Sequence, residues 1–327
     1  MGTLGIAGRA NSGDTGVTEA VASGAQLGSL PLAEIIRRGW RRTMETPALT
    51  AGGFVGIVLG LLCLAVMVAK GGVPIPPEGD LSKPATFNIA VGIYLLTIVL
   101  LVPSAGFSER GKKRWVRWNV ALFGYAYIIE TVQVFRGLDP RFSKHGTPLD
   151  QLAGGVFFLA ALGTLVLFII MAVKFFRRGR PDADSPIILA IRYGSVAALG
   201  AFTAGIWMSV IGGRTTGAAG NVLPLHALGF HGLQAVPLIA LLLLWSGYDS
   251  RETRKWVHAT GIVWVAACAA VAWQTIAGRS VSEMSAAPLV TAFLLAVWMG
   301  IGLFAFWRWA ATPATQLQSP DTSRTPI

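Results

Sequence analysis

The stretch SAGFSERGKKRWVR, residues 104–117, decides the fold. It concentrates Arg110, Lys112, Lys113, Arg114 and Arg117 between two apolar stretches, 86–106 and 118–135. Each stretch approaches the ~20 residues with which a helix crosses ~30 Å of hydrocarbon. A basic turn joining two such segments marks the cytoplasmic side of a polytopic membrane protein.

The rest of the chain agrees. Of 327 residues, 53% are hydrophobic and only 13% charged, against about 25% charged in soluble domains. Apolar stretches predict eight transmembrane helices: 49–69, 86–106, 118–135, 152–176, 187–211, 223–246, 256–277 and 286–309. Each must be helical, because backbone groups in lipid need partners within their own segment. The third is the least apolar.

The net charge of +11 raises the question of a nucleic-acid partner, and its distribution answers it. Basic residues crowd alternate connections: Arg37, Arg38, Arg41 and Arg42 before span one, residues 110–117 after span two, Lys174, Arg177, Arg178 and Arg180 after span four, and Arg251, Arg254 and Lys255 after span six. The intervening loops hold fewer. Both termini are therefore expected to be cytoplasmic, and the charge records topology and contact with anionic lipid, with no nucleic acid involved. Residues 1–30 read as a disordered tail, 31–47 as an amphipathic juxtamembrane helix with Trp40 at headgroup level, and 312–327 as a disordered C-terminal tail. Cys63 and Cys268 fall inside apolar spans and make no disulfide or zinc pattern.

The opening stretch recurs. WSGYDSRETRKWVH, residues 245–258, follows at a constant offset of 141, so that Gly106 meets Gly247, Arg110 meets Arg251, and Trp115-Val116 meets Trp256-Val257. The offset carries Gln133 onto Gln274 and Gly137 onto Gly278 beyond the next span. Residues 48–180 and 181–311 thus read as two four-helix repeats, parallel because an even number of spans returns the chain to the same side. The fold expected is an all-α integral membrane protein. Gly52, Gly56 and Gly60 in span one, and Ala197, Ala201 and Gly205 in span five, give four-residue small-residue stripes that suit close helix packing.

Polar residues inside the spans gather toward the outer side. Glu130 lies about 8 Å below the outer end of span three, with Gln133 one turn above it and Arg136 at the mouth. In LPLHALGFHGLQAVPL, residues 223–238, His226, His231 and Gln234 lie roughly 5, 12 and 16 Å deep. Asn88 and Tyr94 enter from span two and Gln274 from span seven, while Arg214 and Asn221 occupy the loop above. Ionisable groups at such depths are costly in lipid and normally face a protein interior or a wet cavity. One outward-facing pocket is expected, lined by Glu130, Gln133, Arg136, Arg214, Asn221, His226, His231 and Gln234. At the 141-residue offset His226 and His231 meet Ala85 and Ala90, and Glu130 meets Val271. The site would be asymmetric.

Five residues of regular helix turn about 500°, so His226 and His231 diverge unless a π-type turn near Gly229 realigns them. His231 and Gln234, three apart, share a face. His145 lies in the outer loop, and His258 reads as an interfacial anchor. Three readings stay open: polar glue between helices; a haem or transition-metal site (iron or copper) on His226, His231 or both with Glu130 nearby; and a pathway for a small solute or proton. An accessory subunit of a larger membrane complex is a further alternative to a transporter or lipid-binding protein. In the redox reading Arg136 or Arg214 would hold a propionate or phosphate. No GxxxxGK[ST] or GxGxxG element stands between a strand and a helix, which argues against nucleotide chemistry.

The stretches ETVQVFRGLDPRFS, GIWMSVIGGRTTGAAGN and HALGFHGLQAVPL resemble those of uncharacterised bacterial polytopic membrane proteins, over about spans three to six. That resemblance implies no activity. The four-plus-four plan with an outer site is also similar to haem A synthase, whose halves each pair haem-ligand histidines from separate helices. Here the first half has no intramembrane histidine and span eight has none, so neither pair can be built and the likeness is architectural.

Overall fold

Proline at the first or second position opens four of the long helices, where its missing N–H costs nothing and its fixed φ suits the helix. The computed structural model describes residues 32–312, and nine α-helices lie among these described residues. They are α1 (Leu32–Thr43), α2 (Pro47–Lys70), α3 (Ser82–Leu101, extended by a 3-10 turn to Ala105), α4 (Glu109–Phe135), α5 (Pro148–Phe176), α6 (Pro186–Val210), α7 (Leu223–Trp245), α8 (Ser250–Ile276) and α9 (Ala286–Ala310). The expected tails at 1–30 and 312–327 lie outside the described residues, save Thr312. Within the stretch 31–47, helix α1 covers Leu32–Thr43, with Trp40 56% exposed. It is tied to α2 where the Thr50 hydroxyl donates to the Thr43 carbonyl (2.7 Å).

Seven of the described helices are long and apolar enough to cross a membrane: α2, α3 and α5 through α9. Helix α4 is long enough at 27 residues but is not among them. Its first third is basic, and Asn119, Glu130 and Gln133 interrupt the remainder. The expectation of eight spans meets its exception at the stretch with the weakest hydropathy.

A two-stranded hairpin follows α2, pairing β1 (Pro74–Ile75) with β2 (Gly79–Asp80). Another follows α6, pairing β3 (Thr215–Thr216) with β4 (Gly220–Asn221). Displaced by 141 residues, the first hairpin falls on the second, and so do its anchoring bonds. Glu78 N–H donates to the Gly137 carbonyl (2.8 Å) and Ala219 N–H to the Gly278 carbonyl (2.9 Å). Leu81 N–H reaches Val73 and Val222 N–H reaches Arg214, each at 2.9 Å. Gly137 and Gly278 end α4 and α8 at φ 79° and 68°. The hairpins lie against them so closely that a Cβ on Gly278 would come 2.8 Å from the Gly217 Cα. Glycine suits both the left-handed backbone and the contact.

Helices α2 and α3 pair most extensively in the first half, as α6 and α7 do in the second. A Cβ on Gly194 would lie 2.7 Å from the Gly232 carbonyl oxygen, and one on Gly92 2.6 Å from that of Gly53. Gly53 is buried beside Gly56 and Gly60, so the close face in α2 starts at Gly53 rather than Gly52. Between the halves stands an aromatic cluster. The Tyr94 ring meets Phe123, Phe168, Phe202 and Phe230 at centroid distances of 5.7, 6.5, 6.3 and 5.5 Å. Helix α9 lies outermost, with 11% of its apolar window buried.

Candidate functional site

Helix α4 delivers Glu130 to the end of the bundle away from the basic loops, the outer end in the topology read above. Its carboxylate is fully buried and is met by Arg141, from the loop that follows the helix. Arg141 Nε donates to Oε2 at 3.2 Å and a terminal nitrogen to Oε1 at 2.7 Å. This forked pairing is the geometry in which guanidinium and carboxylate interact most strongly. The Arg141 side chain stays 36% exposed against 0% for Glu130. Its guanidinium carbon lies 5.4 Å from the Phe87 ring centroid and 5.2 Å from that of Phe157, both within cation–π range.

The loop is held in place by two further carboxylates. Asp139 accepts the Arg141 and Phe142 amides (2.9 and 2.8 Å) and pairs with the Lys83 ammonium. Burial pushes its carboxyl up, but the Lys83 and backbone hydrogen bonds outweigh this and leave it below the ordinary carboxylate range. Glu78, at the first hairpin, accepts the Ser143 hydroxyl (2.6 Å), the Lys144 amide (2.7 Å) and the Asp139 amide (3.3 Å), and contacts His145 Nδ1 (2.9 Å). The Ser143 bond leads, and with His145 and the two amides it outweighs desolvation and holds the Glu78 carboxyl at about 2.

The sequence-predicted residues separate into groups. Gln133 and Arg136 meet at Asp150: Gln133 Nε2 donates to Asp150 Oδ1 at 3.0 Å, and Arg136 donates to both. Asp150 is also the partner of Thr147 in a capping box that starts α5. His231 and Gln234 join each other: His231 Nδ1 donates to Gln234 Oε1 (3.0 Å), and Gln234 Nε2 to the Thr97 hydroxyl (2.8 Å) across the two halves. His226 turns the other way. Its Nδ1 contacts the Ala201 carbonyl at 2.7 Å, and its ring stands edge-on to Phe230 at 4.9 Å. Helix α7 is regular α throughout, without a π-type turn, so the two imidazoles follow their diverging spacing.

Asn221 Oδ1 accepts the Leu223 amide (3.0 Å) just before α7, and the Arg214 side chain is exposed beside the second hairpin. Asn88 donates to Thr131 (3.0 Å), Tyr94 belongs to the aromatic cluster, and Gln274 binds Ser285 and the Ser280 carbonyl. Arg141 ties the loop after α4 to the buried Glu130 carboxylate.

Because a carbonyl oxygen only accepts, Nδ1 of His226 carries the proton, and a neutral ring then presents its lone pair at Nε2. The same holds for His231. Among the described residues no three His, Cys, Asp or Glu side chains gather as a metal site.

Sequence reasoning passed over Arg141, Asp150, Glu78 and Thr97. Thr147-Pro-Leu-Asp150 was legible as a capping signature. Nothing marked Arg141 apart from the other loop cations. No protein-family model, curated protein or solved structure matches the chain.

Proposed function

We propose that this is a bacterial inner-membrane protein of two parallel four-helix halves, with α4 as an eighth span and both termini cytoplasmic. In this reading it binds a small anionic solute without metal, at the outer end between the halves. One observation carries the reading: the carboxylate of the Glu130–Arg141 pair is sealed while the guanidinium stays partly open. A guanidinium has five N–H donors, and Glu130 engages two nitrogens. The remaining donors suit a carboxylate or phosphate group that reaches the guanidinium beside Phe87 and Phe157. Support for the duplicated plan comes from the hairpins, their anchoring bonds and the positive-φ glycines, which all recur at one offset.

The test is thermal stabilisation of detergent-purified protein by succinate and inorganic phosphate, with glucose and choline as controls. A ligand at about 100 times its Kd stabilises by about 2.7 kcal/mol. The anions are expected to raise Tm in the parent and not in Arg141→Gln. An unmoved parent, or a shift that survives in the variant, removes the solute reading. A second reading rests on His226. Its Nδ1–H held by a carbonyl is the orientation that metal-bound imidazoles adopt. Near-stoichiometric iron or copper, lost in His226→Ala, would establish a haem or metal site instead. A stoichiometric copurifying membrane protein would favour the accessory-subunit reading.

A further inference from the structure

At the opposite, basic end a groove of about 650 Å³ runs between α4 and α5. Arg114, Trp118 and Leu122 form the α4 wall; Gly163, Ile170 and Lys174 form the α5 wall. From Gly163 to Lys174 the trough is about 16 Å long at ~1.5 Å per residue. Its deep end is closed where α5 meets α4, since a Cβ on Gly163 would lie 2.8 Å from Leu122 Cδ1. Its base is held by Trp115, whose indole N–H donates to the Leu167 carbonyl at 2.8 Å.

The mouth is cationic. Lys174 Nζ lies 4.4 Å over the Phe107 ring, and no acidic side chain lines the groove. Glu109, nearby in sequence, pairs with Lys112 (3.0 Å). An apolar slot of acyl-chain width that ends in Arg and Lys at headgroup level complements an anionic phospholipid.

We propose that the α4–α5 groove is a binding site for one anionic phospholipid of the leaflet facing the basic loops, with its acyl chain along Gly163–Ile170 and its phosphate at Arg114 and Lys174. The site is separate from the outer one and does not depend on it. The test is native mass spectrometry and titration of the full-length protein in detergent with phosphatidylglycerol, phosphatidylcholine and inorganic phosphate. One phosphatidylglycerol per chain is expected to be retained over phosphatidylcholine. Affinity should fall roughly thirtyfold in Arg114→Gln/Lys174→Gln. Retention should be lost in Leu122→Val/Gly163→Phe, which places an aromatic ring at the deep end of the groove. Equal retention of the two lipids, displacement by inorganic phosphate alone, or binding unchanged in the charge variant would overturn the proposal. If the groove-filling variant does not fold, the charge variant and the lipid preference still decide. The succinate test of the outer site reads independently of either.

Discussion

Arg141 is the residue on which the Glu130 site turns, and its partner defines what its loss should do. Removing one member of a buried ion pair costs about 3–5 kcal/mol because the other charge is stranded. Arg141 is 36% exposed, so Arg141→Ala is expected to cost less, about 2–3 kcal/mol. Glu130→Gln/Arg141→Ala should recover most of that loss in reversible unfolding in mixed micelles. A double variant as unstable as the single one would show that Arg141 acts through its ring contacts. Glu78 gives a pH signature. Its folded carboxyl at about 2 lies below the ordinary 4.5, so the stability it contributes is present above pH 4.5 and is lost as pH falls toward 2. The Tm difference between the parent and Glu78→Gln should therefore hold constant from pH 5 to 8 and shrink below 4.5. A difference that grows on acidification would contradict the Glu78 contacts.

At the scale of elements, backbone proximity sets what each helix tolerates. Gly194 in α6 faces the Gly232 carbonyl, whereas a Cβ on Gly124 in α4 would meet nothing within 4 Å. Gly194→Leu is expected to lose at least the about 1–3 kcal/mol typical of overpacking, because backbone cannot move aside as a side chain can. Gly124→Ala should gain up to about 1 kcal/mol from helix propensity. Thermal unfolding of the two variants side by side checks both signs. The element least legible in the sequence was the connection after α4. Its charges read as surface residues, yet Asp139 and Arg141 place the loop against the bundle. The helices themselves were readable at most of their ends, since hydropathy and proline and glycine signals act locally, but the polar first turns of α4 and α8, from Glu109 and Ser250, lay outside the apolar stretches.

For the whole molecule, the proposed parallel arrangement of two halves carries a topological consequence. A phosphatase that is active only outside the cytoplasm, fused after Phe142, is expected to be active. The same fusion after Arg110 or Arg251 should be inactive, since those loops share one side. Activity after only one of the latter two would break the parallel arrangement. The halves meet through the aromatic cluster around Tyr94 and through the Gln234–Thr97 bond, which joins residues 137 apart in sequence.

The sequence by itself determined the membrane class, the approximate helix positions, the alternation of basic loops and the presence of ionisable groups within the helices. These follow from side-chain transfer free energies and local backbone preferences, which each residue carries wherever it lies. Tertiary structure alone decided the partners. Glu130 is joined to a loop arginine, Gln133 and Arg136 are held by Asp150, and His226 is turned away from His231. A hydrogen bond depends on ångström-scale distance and direction, and only the packing of α3, α4, α5 and α7 with their loops sets those.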